Sequence, residues 1–224
     1  MNAPFSDRQI VTVDVVLLTV VERQLSAALL RRENPPFAGE LGLIGGYVHA
    51  DKDKTTDDTA ARVLRDKTGL RGFFLEQLAT FSGPTRDPRG WSVSVAYYAL
   101  VPHAALKAAL GGASRLELVP VADARALPFD HDAILAAAVQ RLRGKGAYST
   151  LPARLIEQPF TLSELQQVYE IALNTPRIDK SSFRRKLAEL DLIEPAEGRR
   201  TDTGGRQAQL YRLKPGALVF NRRI

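Results

Sequence analysis

Gly45-Gly46 lies upstream of a segment, Ala60-Ala61-Arg62-Val63-Leu64-Arg65-Asp66-Lys67-Thr68-Gly69-Leu70, whose spacing fits a helix with chemistry on one face. At about 100° per residue, Val63, Asp66 and Lys67 fall within about 100° of one another. Such a face can hold the two or three Mg²⁺ ions that bridge a pyrophosphate, provided that it presents a cluster of hard oxygen ligands. Here it offers one carboxylate, one methyl-bearing side chain and one ammonium. The Lys67 ammonium repels divalent metal, yet it can sit against a phosphate as a fixed cation. In the plainer reading, Lys67 and Arg65 are solvated charges near a helix C-terminus, where the macrodipole favours cations. On this inventory we expect no catalytic residue, no metal site and no cofactor.

The surrounding elements read as mixed α/β. Val11 to Val21 is β-branched and aliphatic at the length of a buried strand, and Leu25 to Leu30 is a second strand. Pro35-Pro36 breaks the chain before the glycine pair. Thr55 with Asp58, or Thr56 with Asp57 and Asp58, can cap the helix without forming a full capping box. The expected buried stripe is Ala60, Ala61 and Leu64, and Gly69 is placed to stop the helix. Trp91 to Leu100 alternates as a strand, with Trp91, Val93, Val95 and Tyr97 on one face and Ser92, Ser94, Ala96 and Tyr98 on the other.

Taken in order, the strand, Gly45-Gly46, the helix ending Lys67-Thr68-Gly69-Leu70 and the stretch Asp87-Pro88-Arg89-Gly90-Trp91-Ser92-Val93-Ser94-Val95-Ala96-Tyr97-Tyr98 resemble the Nudix-related transcriptional regulators. In that family a degenerate Nudix domain is fused to a winged helix, and the resemblance covers nearly the whole chain. Aligned on Gly69-Leu70 and Arg62, the glutamates of a Nudix hydrolase fall on Val63, Asp66 and Lys67, with the earlier one near Lys52. One acid is kept out of four. Leu41-Gly42-Leu43-Ile44-Gly45-Gly46 departs from the more usual W-A-L-P-G-G. The resemblance implies an α+β chain, a Nudix-like mixed-sheet α/β/α sandwich followed by a winged helix-turn-helix domain. It also implies control of NAD-metabolism genes, with ADP-ribose or a related nucleotide as effector. We expect the ligand at Arg62, Lys67, Trp91, Gly45 and Gly46, although Arg62 can instead brace the signature loop.

Charge along the chain separates two jobs. Residues 1–140 carry 15 Lys+Arg against 16 Asp+Glu, and residues 141–224 carry 16 against 9, so the net +6 comes from the C-terminal part. A basic module joined to a near-neutral one suggests a polyanion partner. Thr161-Leu162-Ser163-Glu164 is a capping box opening a helix with Leu165, Val168, Tyr169 and Ala172 on one side, and Asn174-Thr175-Pro176 ends it. Asp179 caps a second helix with Phe183, Leu187 and Leu190 buried. On its outer face stand Lys180, Ser181, Ser182, Arg184 and Arg185, donors suited to phosphates and base edges. Leu192-Ile193-Glu194, a glycine-rich turn from Gly198 to Arg206, and Gln207 to Leu213 read as a wing with Arg199, Arg200 and Arg206 at its tip.

The resulting organisation is a ligand-sensing domain over 1–129, a linker helix and connection over 130–150, and a DNA-binding domain over 151–224. His131 between Asp130 and Asp132 is read as an N-terminal cap of the linker helix rather than a metal site. His49 and His103 have no nucleophile around them. With no cysteine there is no disulfide framework, and no apolar run approaches a membrane span. We expect a soluble cytoplasmic homodimer that is not an enzyme and that binds a palindromic double-stranded operator as a repressor. Two competing readings are a regulator of sugars or sugar phosphates, and a hydrolase drawing metal ligands from Asp66 with Glu76 or Glu117.

Overall fold

The computed structural model describes residues 9–110, 115–201, 205 and 207–216. β1 (Ile10–Val21) and β2 (Gln24–Arg31) form where the aliphatic runs predict them. They join β3 (Leu41–Gly42), β4 (Ile44–Tyr47), β5 (Phe74–Gly83), β6 (Ser92–Leu100) and β7 (Leu116–Pro120) in one sheet. The strand order is β3-β2-β1-β6-β5, with β4 also paired to β1 and β7 to β2. β4 runs antiparallel to β1, and its register sets Asp14 opposite Gly45 and Val13 opposite Gly46. A side chain at position 45 would overlap the Asp14 carboxylate, and a Cβ at 46 would lie 2.9 Å from Val63 Cγ2. Both glycines are therefore required by close approach.

α1 (Thr56–Thr68) follows. The cap is stronger than the sequence suggests: Thr55 and Asp58 form a full capping box, with Asp58 in the place usually held by Glu or Gln. Gly69 adopts φ 76° and donates its N–H to Arg65 O, which ends the helix as expected. The buried stripe differs. Val63 is buried with Thr59, Ala60 and Leu64, whereas Ala61 faces solvent. Tyr97 on β6 fixes the N-terminal turn of α1, donating to Asp57 Oδ1 at 2.7 Å and bonding Thr56 Oγ1 at 2.9 Å.

The chain forms two compact units. One holds residues up to Leu17, Ala27–Ala99 and Ala109–Ala138; the other holds Leu18–Ser26, Leu100–Ala108 and the chain from Val139 onward. α2 (His103–Leu110) and α3 (His131–Gly146) complete the helices before a 3₁₀ turn at Leu151–Leu155.

In the second unit, α4 (Leu162–Leu173) and α5 (Lys180–Glu189) have the predicted caps at Thr161 and Asp179, and Asn174 takes the left-handed conformation that stops α4. They pack on a sheet ordered β8-β10-β9, from β8 (Phe160–Thr161), β9 (Ile193–Thr201) and β10 (Gln207–Leu213). Phe160, Leu165, Tyr169, Phe183, Leu187 and Leu192 form its core, with the Tyr169 and Phe183 rings edge-on at 5.3 Å. β8 is absent from the sequence reading because two residues carry no periodicity. β9 is longer than expected: Gly198, read as the start of the turn, has φ 91° and lies where the β9–β10 register shifts in a bulge. Arg199 and Arg200 therefore belong to a strand, and Arg206 lies outside the described residues.

Phe183 anchors α5, so Phe183→Ala should destabilise this unit by about 3–5 kcal/mol. Chemical denaturation followed by circular dichroism measures the loss, and a change below about 1 kcal/mol contradicts this packing.

Candidate functional site

Between Gly46 and α1 the loop is closed by one ion pair. Arg62 donates from Nε to Asp53 Oδ1 at 2.8 Å and from Nη2 to Asp53 Oδ2 at 2.6 Å, with a further bond to Tyr47 O at 2.9 Å. Asp53 also accepts from His49 N and Thr59 Oγ1. The Arg62 hydrogen bonds hold the Asp53 carboxyl far below the usual carboxylate range, against the opposing effect of burial. The sequence alignment set the early acid near Lys52; in the structure the nearby acid that pairs with Arg62 is Asp53, one residue on.

Gly45, Gly46, Arg62 and Lys67 all line a cavity of about 790 Å³ in the first unit. Trp91 does not: it is 46% exposed and precedes β6. The predicted faces of that strand are unequal, because Ser92 and Ser94 are fully buried around a polar network. Arg86 donates to both oxygens of Asp130 at 2.7 and 2.9 Å and to Ser92 Oγ at 3.1 Å, and Ser94 Oγ donates to Asp14 Oδ2 at 2.6 Å. His131 is a wall of this cavity rather than a helix cap. Its Nδ1 accepts from Leu43 N at 3.0 Å, and burial pushes its pKa down despite Asp14 and Asp130 nearby.

Seven guanidinium or ammonium groups line the cavity against four carboxylates. Several are paired: Arg89 with Asp87 at 2.6 Å, Arg31 with Glu117, and Arg115 with Glu33. Among the described residues the Arg32 guanidinium donates to the carbonyls of Pro36 and Asn34, and it lies 4.7 Å from the Phe129 ring centroid. The Lys67 side chain makes no salt bridge or hydrogen bond among the described residues, and its charge acts on Glu33 at longer range. The sequence reading missed Arg32, Arg89 and Phe129; only Arg89, inside the quoted Asp87-Pro88-Arg89 run, gave a signal. The donor set does not fit the Mg²⁺ that Nudix chemistry implies. Val63 is apolar and buried, Lys67 is cationic, and Asp66 is bound at 2.7 Å by Arg65. Glu76 and Glu117 do not line the cavity, and no acid or histidine cluster able to hold a metal occurs among the described residues.

In the second unit, Lys180, Ser181, Ser182, Arg184 and Arg185 are all exposed on α5. Arg185 makes only a 3.7 Å contact with Glu189, an exposed helical pair of small worth. Arg200 is committed: it donates to Glu164 Oε1 and Oε2 at 2.8 and 2.9 Å and to Pro159 O at 3.1 Å. That corrects the expectation of three arginines at a mobile tip. Burial raises the Glu164 pKa, but the Thr161 N–H and Arg200 outweigh it and hold the carboxyl below its ordinary value.

Along 214 residues, 95% of this chain and 85% of the relative, the sequence is 38% identical to the ADPR responsive transcriptional repressor NtrR of Acinetobacter baylyi. The chain belongs to the NrtR family. The NrtR DNA-binding winged helix domain matches residues 152–213. Shewanella oneidensis NrtR complexed with a 27mer DNA is similar throughout, with TM-score 0.89 and 39% identity over 96% of this chain and 100% of that one. The NUDIX domain of the same protein, complexed with ADP ribose, aligns with TM-score 0.55 and 37% identity over 63% of this chain and 94% of that one. An ADP-ribose pyrophosphatase of Methanocaldococcus jannaschii is 31% identical over 116 residues, 52% of this chain and 67% of the relative. The architecture is therefore a Nudix domain joined to a winged helix.

Because the Asp53 pKa is depressed in the folded protein, its contribution is complete above the ordinary carboxylate range and is lost as pH falls through the folded value. Asp53→Asn should lower Tm at neutral pH and flatten the fall of Tm in acid. Thermal melts from neutral pH down to the acid limit check this; parallel curves for variant and parent contradict it.

Proposed function

We propose that this chain is a transcriptional repressor whose winged helix binds DNA and whose Nudix cavity binds ADP-ribose or a closely related nucleotide that alters DNA affinity. The supporting observation is a signature helix that keeps its scaffold, Arg62–Asp53 and the two glycines, while cations outnumber acids in the cavity beside it. Such a site favours a diphosphate without supplying the oxygen ligands of metal-assisted hydrolysis. Similarity to an ADPR-responsive repressor over nearly the whole chain points the same way. The sensing module is assigned to 1–129 and the DNA-reading module to 151–224, joined through 130–150. In the ligand site we place Arg62, Lys67, Gly45 and Gly46 at the cavity, with Trp91 retained only as a contact from outside its lining.

On DNA, α5 is the recognition helix, with Lys180, Ser181, Ser182, Arg184 and Arg185 toward the major groove. Arg199 is a phosphate contact from β9, and Arg206 remains assigned to the wing. Two copies on a palindromic operator account for a single recognition helix per chain. The target genes are those of NAD metabolism, as the family resemblance implies. A hydrolase reading is favoured only by the pyrophosphatase relative. Metal-dependent release of AMP from ADP-ribose tests it, and we expect none above a no-protein control.

The main test is fluorescence anisotropy on DNA from upstream of its own and adjacent genes, at fixed salt, with ADP-ribose titrated in. Selective binding that ADP-ribose weakens is expected; indifference to ADP-ribose removes the sensor half. If the ligand weakens DNA binding about 100-fold, it must bind the DNA-free protein about 100-fold better, a coupling of roughly 2.7 kcal/mol. Arg185→Ala should cost about 1–3 kcal/mol of specific binding, as for an arginine reading a guanine. Unchanged operator affinity of this variant excludes α5 as the reader.

A further inference from the structure

The three C-terminal positions of the Nudix signature are not simply emptied of carboxylates; each is reassigned. Val63 is buried, with its Cγ2 against Gly46, so apolar carbon fills the first position. Asp66 is held by Arg65. Lys67 lines the cavity as an exposed ammonium with no salt bridge among the described residues, and Glu33, itself bound by Arg115, is the carboxylate that senses its charge. Across the same cavity, Arg32 has carbonyl partners but no ion pair among the described residues. Together they carry as much positive charge as one divalent ion.

We propose that Lys67, with Arg32, takes over the electrostatic role of the metal, so that the cavity binds the diphosphate of its ligand without any divalent cation. This rests on the reading of the cavity as a nucleotide site and specifies how that site is charged. A diphosphate held by metal is bridged by shared oxygen ligands, which need acids on the protein side. A diphosphate held by lysine and arginine accepts charge-assisted hydrogen bonds directly, and the protein needs no acid there. A carboxylate at position 67 would repel the ligand unless a metal stood between them. The substitution at 67 thus changes the sign of what the helix presents to the anion, and with it the requirement for metal.

The test is isothermal titration of the full-length protein with ADP-ribose and, in parallel, with inorganic pyrophosphate, each in EDTA and in Mg²⁺. The parent protein should bind both with the same affinity in either buffer, within about twofold. Loss of a charge-assisted contact in Lys67→Ala should weaken both ligands about 10- to 100-fold. Lys67→Glu should bind neither in EDTA and should regain affinity in Mg²⁺. Lys67 is exposed, so melting curves of both variants should stay close to the parent and certify the fold. A parent that binds only with Mg²⁺, or a Lys67→Ala that binds like the parent, overturns the proposal. Metal-free, Lys67-dependent binding of pyrophosphate without any binding of ADP-ribose upholds the charge replacement and removes the nucleotide reading. Binding of neither ligand removes both.

Discussion

The pair between Arg62 and Asp53 is the constraint on which the cavity depends. It ties α1 to the loop that leaves β4, and its remaining hydrogen-bonding capacity goes to Tyr47 O, His49 N and Thr59 Oγ1. Both side chains are largely shielded, so the ions attract through less water than a surface pair does, and removing one partner would leave the other charged in a dry setting. The loop shape and the helix position are therefore set together. Whatever the cavity binds, it does so against walls that this pair fixes.

That separation of scaffold from chemistry explains how a catalytic signature can persist without its acids. Arg62, the two glycines and the Gly69 cap serve geometry, and a change at any of them would move backbone. The positions at 63, 66 and 67 serve only the ligand or the core, and they tolerate a change of sign or polarity. Val63 even gains packing, since it covers Gly46 and leaves no space for a side chain there. A kept scaffold beside altered acid positions is what the proposed ligand-binding role requires.

The amount legible in the sequence followed the length over which a pattern repeats. β1 carries a long aliphatic run, α4 and α5 carry repeated apolar spacing and a capping residue, and each formed where that signal places it. Asp53 was missed by one residue because an alignment anchored at Arg62 carries no information about how the loop before α1 closes. β8 and the bulge at Gly198 depend on pairing with β10, which is a property of distant chain segments. Arg32 and Phe129 reach the cavity from separate stretches, so nothing local marks them, whereas Arg89 stands in the quoted Asp87-Pro88-Arg89 run.

Net charge misleads in the same way. Residues 1–140 are close to neutral, yet cations outnumber acids in the lining of their cavity. The acids are present but spent: Asp53 on Arg62, Asp87 on Arg89, Asp130 on Arg86, Glu33 on Arg115. Each such pair fixes a side chain and cancels most of its field, so the residual potential comes from the cations left over. The basic C-terminal part obeys the same rule. Arg200, bound to Glu164, helps join β9 to the start of α4, whereas Arg184 stands exposed on α5. What a partner anion meets is set by which cations lack an internal acid, and that follows from the fold rather than from composition.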